Sequence, residues 1–118
     1  MVFHRHFNMT INPELLHHIK SYCNKNPLVE NCGFIVEDAG ELIFLPVVNK
    51  HPDSVNYFVI SPRDYLDIKQ KYKIKYLFHN HKSERFFSNV DIHYQKYHNM
   101  NMLLYVLDSD EFKEIKCK

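Results

Sequence analysis

The sequence predicts an α/β fold, a single domain in which a mixed β-sheet is flanked by helices. Apolar runs of strand length alternate along the chain with segments of helical periodicity, the pattern of a sheet covered by helices. The chain has 118 residues, the size of one compact domain that buries a core without disulfide staples. No internal repeat, low-complexity tract or linker-like change of composition divides it, so residues 1–118 are expected to fold as one unit.

The elements follow in order. Asn12 offers a helix N-cap and Pro13 the first helical position, after which Leu15, Leu16, Ile19, Tyr22 and Cys23 recur on one face until Asn24 to Leu28 ends the helix. Gly33 to Val36 and Leu42 to Val48 are β-branched, apolar runs separated by the turn signal Asp38-Ala39-Gly40, and they read as two paired strands. Val55 to Ile60, with Tyr57, Phe58 and Val59, reads as a third strand. It stops at Ser61-Pro62, where an N-cap, a first-turn proline and Asp64 open a helix carrying Tyr65, Leu66, Ile68 and Tyr72. Ile74 to His81 is a strand with an apolar body and a polar end. A helix starts near Ser88, and Met102 to Leu107, the turn Asp108-Ser109-Asp110 and Phe112 to Ile115 form a terminal hairpin.

Composition narrows the function. The formal net charge is +1, with lysines scattered among acids and tyrosines, so the basic footprint of a nucleic-acid binder is missing. Met1 to His6 lacks the apolar core of a secretory signal, and no apolar run reaches the length of a membrane span, so a soluble cytoplasmic protein is expected. Cys23, Cys32 and Cys117 are odd in number and widely spaced, which fits reduced intracellular thiols. Nine histidines are many for this length, and histidine is the commonest metal ligand.

Two of those histidines carry the chemistry. His79 and His81 lie at i and i+2 on a strand, so both rings project to one side, about 6.6 Å apart along the chain at roughly 3.3 Å per residue, and can converge on one metal. A catalytic zinc needs three protein ligands and an open fourth position. Asp91, one turn into the helix that follows a short loop, is the natural third. Ser88-x-x-Asp91 also reads as a capping pair, with the Ser88 hydroxyl on an early backbone N–H, as in Ser61 and Asp64.

A strand ending in His-x-His, a six-residue loop, then Ser-x-x-Asp opening a helix resembles the JAMM (MPN-domain) zinc metallopeptidases. Glu30-Asn31-Cys32-Gly33 is similar to that family's first strand with its glutamate, and the match spans nearly the whole chain. Val48-Asn49-Lys50 through Asp53 to Ser61-Pro62 is similar to bacterial and phage-tail members. The resemblance implies a cytidine-deaminase-like architecture, zinc on His79, His81 and Asp91, Glu30 as general base, and Ser88 stabilising the oxyanion. It implies hydrolysis of a peptide or isopeptide bond in a ubiquitin-like protein, a tail protein or a cell-wall peptide, in a bacterial or virus-infected host cytoplasm or a virion tail. Lys82 replaces the family's proline and the loop is one residue short, which is expected to leave it less constrained and to shift Ser88 or Asp91.

Other readings compete. An inactive MPN-like scaffold for protein assembly would draw on Lys82 and the short loop. The literal His79-Asn80-His81 suggests an HNH nuclease, against which its contiguity counts. His93 and His98 are expected to face solvent, His17 and His18 to lie on the polar side of the first helix, and His4 and His6 in a mobile terminus or edge strand. Cys32 is expected to be a small buried thiol.

Overall fold

A computed structural model describes residues 11–117; the expectations for His4 and His6 lie outside this range. The domain is α/β, with three helices around one five-stranded mixed sheet. In chain order the elements are α1 (Pro13–Lys25), β1 (Cys32–Asp38), β2 (Glu41–Val47), α2 (Pro62–Lys71), β3 (Lys73–His81), α3 (Asn89–His98), β4 (Met102–Val106) and β5 (Glu111–Ile115). Strand order is β2-β1-β3-β4-β5. The pairs are antiparallel except β3 with β4, which run parallel with His79 opposite Leu104 and His81 opposite Val106.

Local chemistry sets the element ends. The Asn12 side chain accepts from Leu15 N–H at 2.8 Å and Ser61 Oγ from Asp64 N–H at 3.1 Å, each before a proline whose missing N–H costs the first turn nothing. Ala39 and Gly40, at φ 52° and 85°, supply the two left-handed residues that a tight β1–β2 hairpin needs. Gly33 is required by packing. A Cβ there would lie 2.8 Å from Pro46 Cα, and closer still to the Leu45 carbonyl oxygen.

Alternation along the strands divides the core. On one face Ile35, Phe44, Phe78, Leu103, Tyr105 and Phe112 pack against Ile19 and Cys23 of α1. On the other, Phe34, Val36, Leu77 and Met102 lie beneath Tyr65 and Ile68 of α2 together with Phe58 and Ile60. His79 and His81 follow Leu77 at i+2 and i+4 and so share this second face. The parallel step from β3 through α3 to β4 brings the N-terminus of α3 back to the carboxyl end of β3, the usual ligand position in open α/β sheets.

The expected third strand over Val55 to Ile60 does not form. Residues 54–56 make a turn and residues 57–60 run without ladder partners. Their polar groups go elsewhere: Tyr57 N–H donates to Asp53 O at 3.0 Å, and Asn49 takes both Tyr57 O and Val59 N–H through its side chain. The segment's β-rich composition is outweighed by partners within the loop, the Asn49 side chain and the backbone of Asp53 and Lys50. No helix among the described residues is long and apolar enough to cross a membrane.

Candidate metal centre

Three side chains meet at the carboxyl end of β3. His79 Nε2 lies 3.2 Å from His81 Nε2 and 3.1 Å from Asp91 Oδ2, and His81 Nε2 lies 3.4 Å from the same oxygen. His79 is fully buried, while His81 and Asp91 are each 6% exposed. A carboxylate oxygen of Glu30 joins the two imidazoles within 4.8 Å, and these residues could hold a metal ion.

Each group is held by a neighbour of its own. Phe58 stacks on the His79 ring at 4.6 Å between centroids and 21° between planes. His81 Nδ1 lies 3.0 Å from the Glu84 carbonyl, which can only accept, so Nδ1 carries a proton and Nε2 turns its lone pair inward when the ring is neutral. Asp91 sits in a full capping box: its Oδ2 accepts Ser88 N–H at 2.9 Å and its own N–H donates to Ser88 Oγ at 3.0 Å. The capping role read from the sequence is therefore present, and it leaves the Ser88 hydroxyl proton free to point elsewhere.

Glu30 is fixed through its backbone. Its N–H donates to Ser54 O at 2.7 Å, and its carbonyl accepts from Asn49 Nδ2 at 2.8 Å. Asn80, on the opposite side of the sheet from the two histidines, accepts Asn31 N–H on its Oδ1 at 2.7 Å, and its amide donates to Val29 O at 3.3 Å. The strand that carries the imidazoles thereby also grips the segment that carries the carboxylate.

Electrostatics follow from burial and from convergence. Burial pushes the Glu30 carboxyl up to about 8, with Asp91 and Asp53 adding to it and His81 opposing. Burial lowers His79 despite its bond to Asp91. His81 ends above its ordinary value: burial pulls it down, but Asp91, Glu30 and the Glu84 carbonyl outweigh that. The hydrogen bonds from both rings hold Asp91 far below the usual carboxylate range against the cost of burial. Two imidazole nitrogens and a carboxylate oxygen within 3.4 Å of one another need positive charge between them, from a shared proton or from a cation. The buried His79 Nδ1 has no hydrogen-bond partner among the described residues, so no acceptor there fixes its tautomer.

In the loop before Ser88, Lys82 Nζ and Ser83 Oγ both reach Asp108, at 3.2 and 2.5 Å, and Arg85 forms a two-pronged contact with Glu111 at 2.8 and 3.1 Å. Leu107 N–H to His81 O and Asp108 N–H to Lys82 O extend the β3–β4 ladder into it. Exposed ion pairs of this kind stabilise weakly, but with the backbone bonds they tie the loop to the β4–β5 turn.

Of the residues singled out in the sequence, Glu30, His79, His81, Ser88 and Asp91 come together. His93 and His98 are exposed on α3, His17 and His18 on α1, and Cys32 is buried. Sequence reasoning missed Asn49, Asn80, Phe58 and the Glu84 carbonyl. Asn80 alone left a signal, as the residue whose alternation on β3 puts it behind the two rings. Compared with known protein families and with curated proteins, the chain matches none.

Proposed function

We propose that the chain is a zinc-dependent peptidase or isopeptidase of the JAMM type, with His79, His81 and Asp91 as ligands and Glu30 as general base. The observation that carries this reading is the triangle of Nε2, Nε2 and Oδ2 with edges of 3.2, 3.1 and 3.4 Å. Ligand bonds of about 2.0–2.1 Å in a tetrahedron put donor atoms about 3.3–3.4 Å apart, so the three atoms are spaced as one face of a zinc site with its fourth corner open. Two imidazoles with a carboxylate serve zinc and iron(II) alike, and it is the near-tetrahedral spacing that favours zinc.

Zinc at such a site lowers the pKa of a bound water from 15.7 to about 7. The chain's own residues do the rest. Glu30, within one water of the imidazoles, takes the proton of the attacking water and returns it to the leaving amine. Ser88 faces the same cleft and keeps an O–H to donate where negative charge develops. Capping geometry and catalytic geometry are compatible here, since one uses the hydroxyl oxygen and the other its proton.

The substrate class that goes with this reading is a peptide or isopeptide bond in a ubiquitin-like, tail or cell-wall substrate. The test is hydrolysis of fluorogenic peptides and isopeptide-linked conjugates by zinc-loaded protein, run beside Glu30→Gln. The variant is expected to keep its zinc and lose rate by about 10²–10⁴-fold. Hydrolysis by the variant at the wild-type rate would remove Glu30 from the chemistry. Zinc binding with no hydrolysis of any such bond would leave the assembly-scaffold alternative.

A further inference from the structure

The centre opens into a cleft of about 650 Å³, within the range of small-ligand sites. Its floor is polar, with Glu30, His81, Ser88 and Asp91. Its walls are not. The 54–60 segment contributes Val55, Tyr57 and Val59 on one side, and α3 contributes Val90 and Tyr94 on the other. All five are at least 38% exposed, and they account for five of the eleven exposed large hydrophobic residues among those described. Single exposed apolar residues are ordinary, but a cluster facing one recess marks a binding surface.

Neither wall is an accident of packing. The segment bearing Tyr57 and Val59 is held out of the sheet by Asn49, and Lys50 N–H donates to Val59 O at 2.9 Å, so the loop is braced in a position that keeps these side chains in solvent. Val90 and Tyr94 are four apart on α3 and present one face. At the rim, Lys82 and Glu84 give both signs of charge, which favours no charged occupant. A flat apolar partner would not reach the polar floor; a narrow extended chain with one large side chain would.

We infer that this cleft is a side-chain subsite for a bulky aliphatic or aromatic residue of an extended peptide, seated directly beside the metal centre. The inference rests on the peptidase reading for its idea of a substrate, and it adds that the residue next to the hydrolysed bond is large and apolar. A glycine-only strand would leave both walls wet. Moving a leucine-sized side chain from water into such a cleft favours binding by about tenfold or more.

The test compares acetyl-Gly-Gly-Leu-Gly-Gly-amide with acetyl-pentaglycine-amide on the zinc-loaded chain, the ratio being read as Kd from NMR titration if the peptides stay intact and as kcat/KM if they are cut. The leucyl peptide is expected to be at least tenfold better, with shifts centred on the amides of Tyr57, Val59 and Val90. Val59→Ser combined with Val90→Ser, at two exposed positions, is expected to bring the ratio below threefold with the fold and zinc content retained. Equal performance of the two peptides, no binding of either, or an unchanged ratio in the double variant would each overturn the inference. Cleavage without preference refutes the subsite alone, whereas tight leucyl binding without cleavage refutes the hydrolase and keeps the subsite.

Discussion

Replacing Asn49 by alanine removes four short hydrogen bonds at once, besides a long one of 3.5 Å from its amide to Ser54 O. Its amide donates to Glu30 O and Tyr57 O at 2.8 and 2.9 Å, and its carbonyl accepts from His51 and Val59 N–H at 3.0 and 3.1 Å. A typical net contribution is about 1 kcal/mol per bond, and the site is partly open, so some freed groups turn to water; a loss of about 2–4 kcal/mol follows. For a domain of this size that is a fall in Tm of roughly 8–16 °C. Asn49→Asp keeps both acceptor contacts but sets a carboxylate against two carbonyl oxygens, and should be no better than alanine. Urea unfolding followed by circular dichroism gives the stability, and hydrogen exchange at the His51 and Val59 amides gives the location. If Asn49→Ala unfolds within about 0.5 kcal/mol of wild type and those two amides stay protected, the bracing role assigned to Asn49 is wrong.

Other perturbations have equally definite outcomes. Gly33→Ala forces a methyl onto the β2 backbone at Leu45 and Pro46, and should cost about 1–3 kcal/mol in chemical denaturation; an unchanged midpoint would mean that the hairpin shifts freely. Leu103→Ala, at a fully buried position, should cost about 2–5 kcal/mol by the same assay, and a smaller loss would mean that the core collapses around the cavity. Burial pushes the Cys23 and Cys32 thiols up to about 12 from 9.0, so both stay protonated in the native protein at pH 8. A thiol reagent should then label partly exposed Cys117 quickly and the other two only in urea. Above pH 9 the unfolded chain loses these two protons while the folded one keeps them, so stability should fall from about pH 9 toward pH 12. Replacing both cysteines by alanine should make that fall shallower without abolishing it, because burial also pushes Tyr76 and Tyr105 up to about 12; a slope unaltered by the replacement in pH-dependent urea titrations would place its origin elsewhere.

Much of this architecture was legible in the chain because its signals are local. Asn12-Pro13, Ser61-Pro62 and Ser88-x-x-Asp91 mark three helix starts with side chains that bond their own first turns, and each start lies where the sequence puts it. The i, i+2 spacing of His79 and His81 gave their common face for the same reason, strand alternation being a property of the backbone. What could not be read is what depends on distant partners. Val55 to Ile60 has the composition of a strand, but its polar groups are taken by the Asn49 side chain and by backbone bonds to Asp53 and Lys50, all set by the path of the loop. The partners of Lys82 and Arg85 are equally hidden, because Asp108 and Glu111 lie more than twenty residues later. Asn80 reads in sequence as a spacer between ligands; its bonds to Val29 and Asn31 span about fifty residues and exist only once β1 and β3 pair.

The proposed function requires one cation bound between His79, His81 and Asp91, and a calorimetric zinc titration of the metal-stripped protein tests this most directly. One zinc per chain is expected, with affinity lost in His79→Ala and in Asp91→Ala while both variants keep the wild-type circular dichroism. Saturation well below one equivalent in the wild type, or full binding by the folded Asp91→Ala protein, would contradict it.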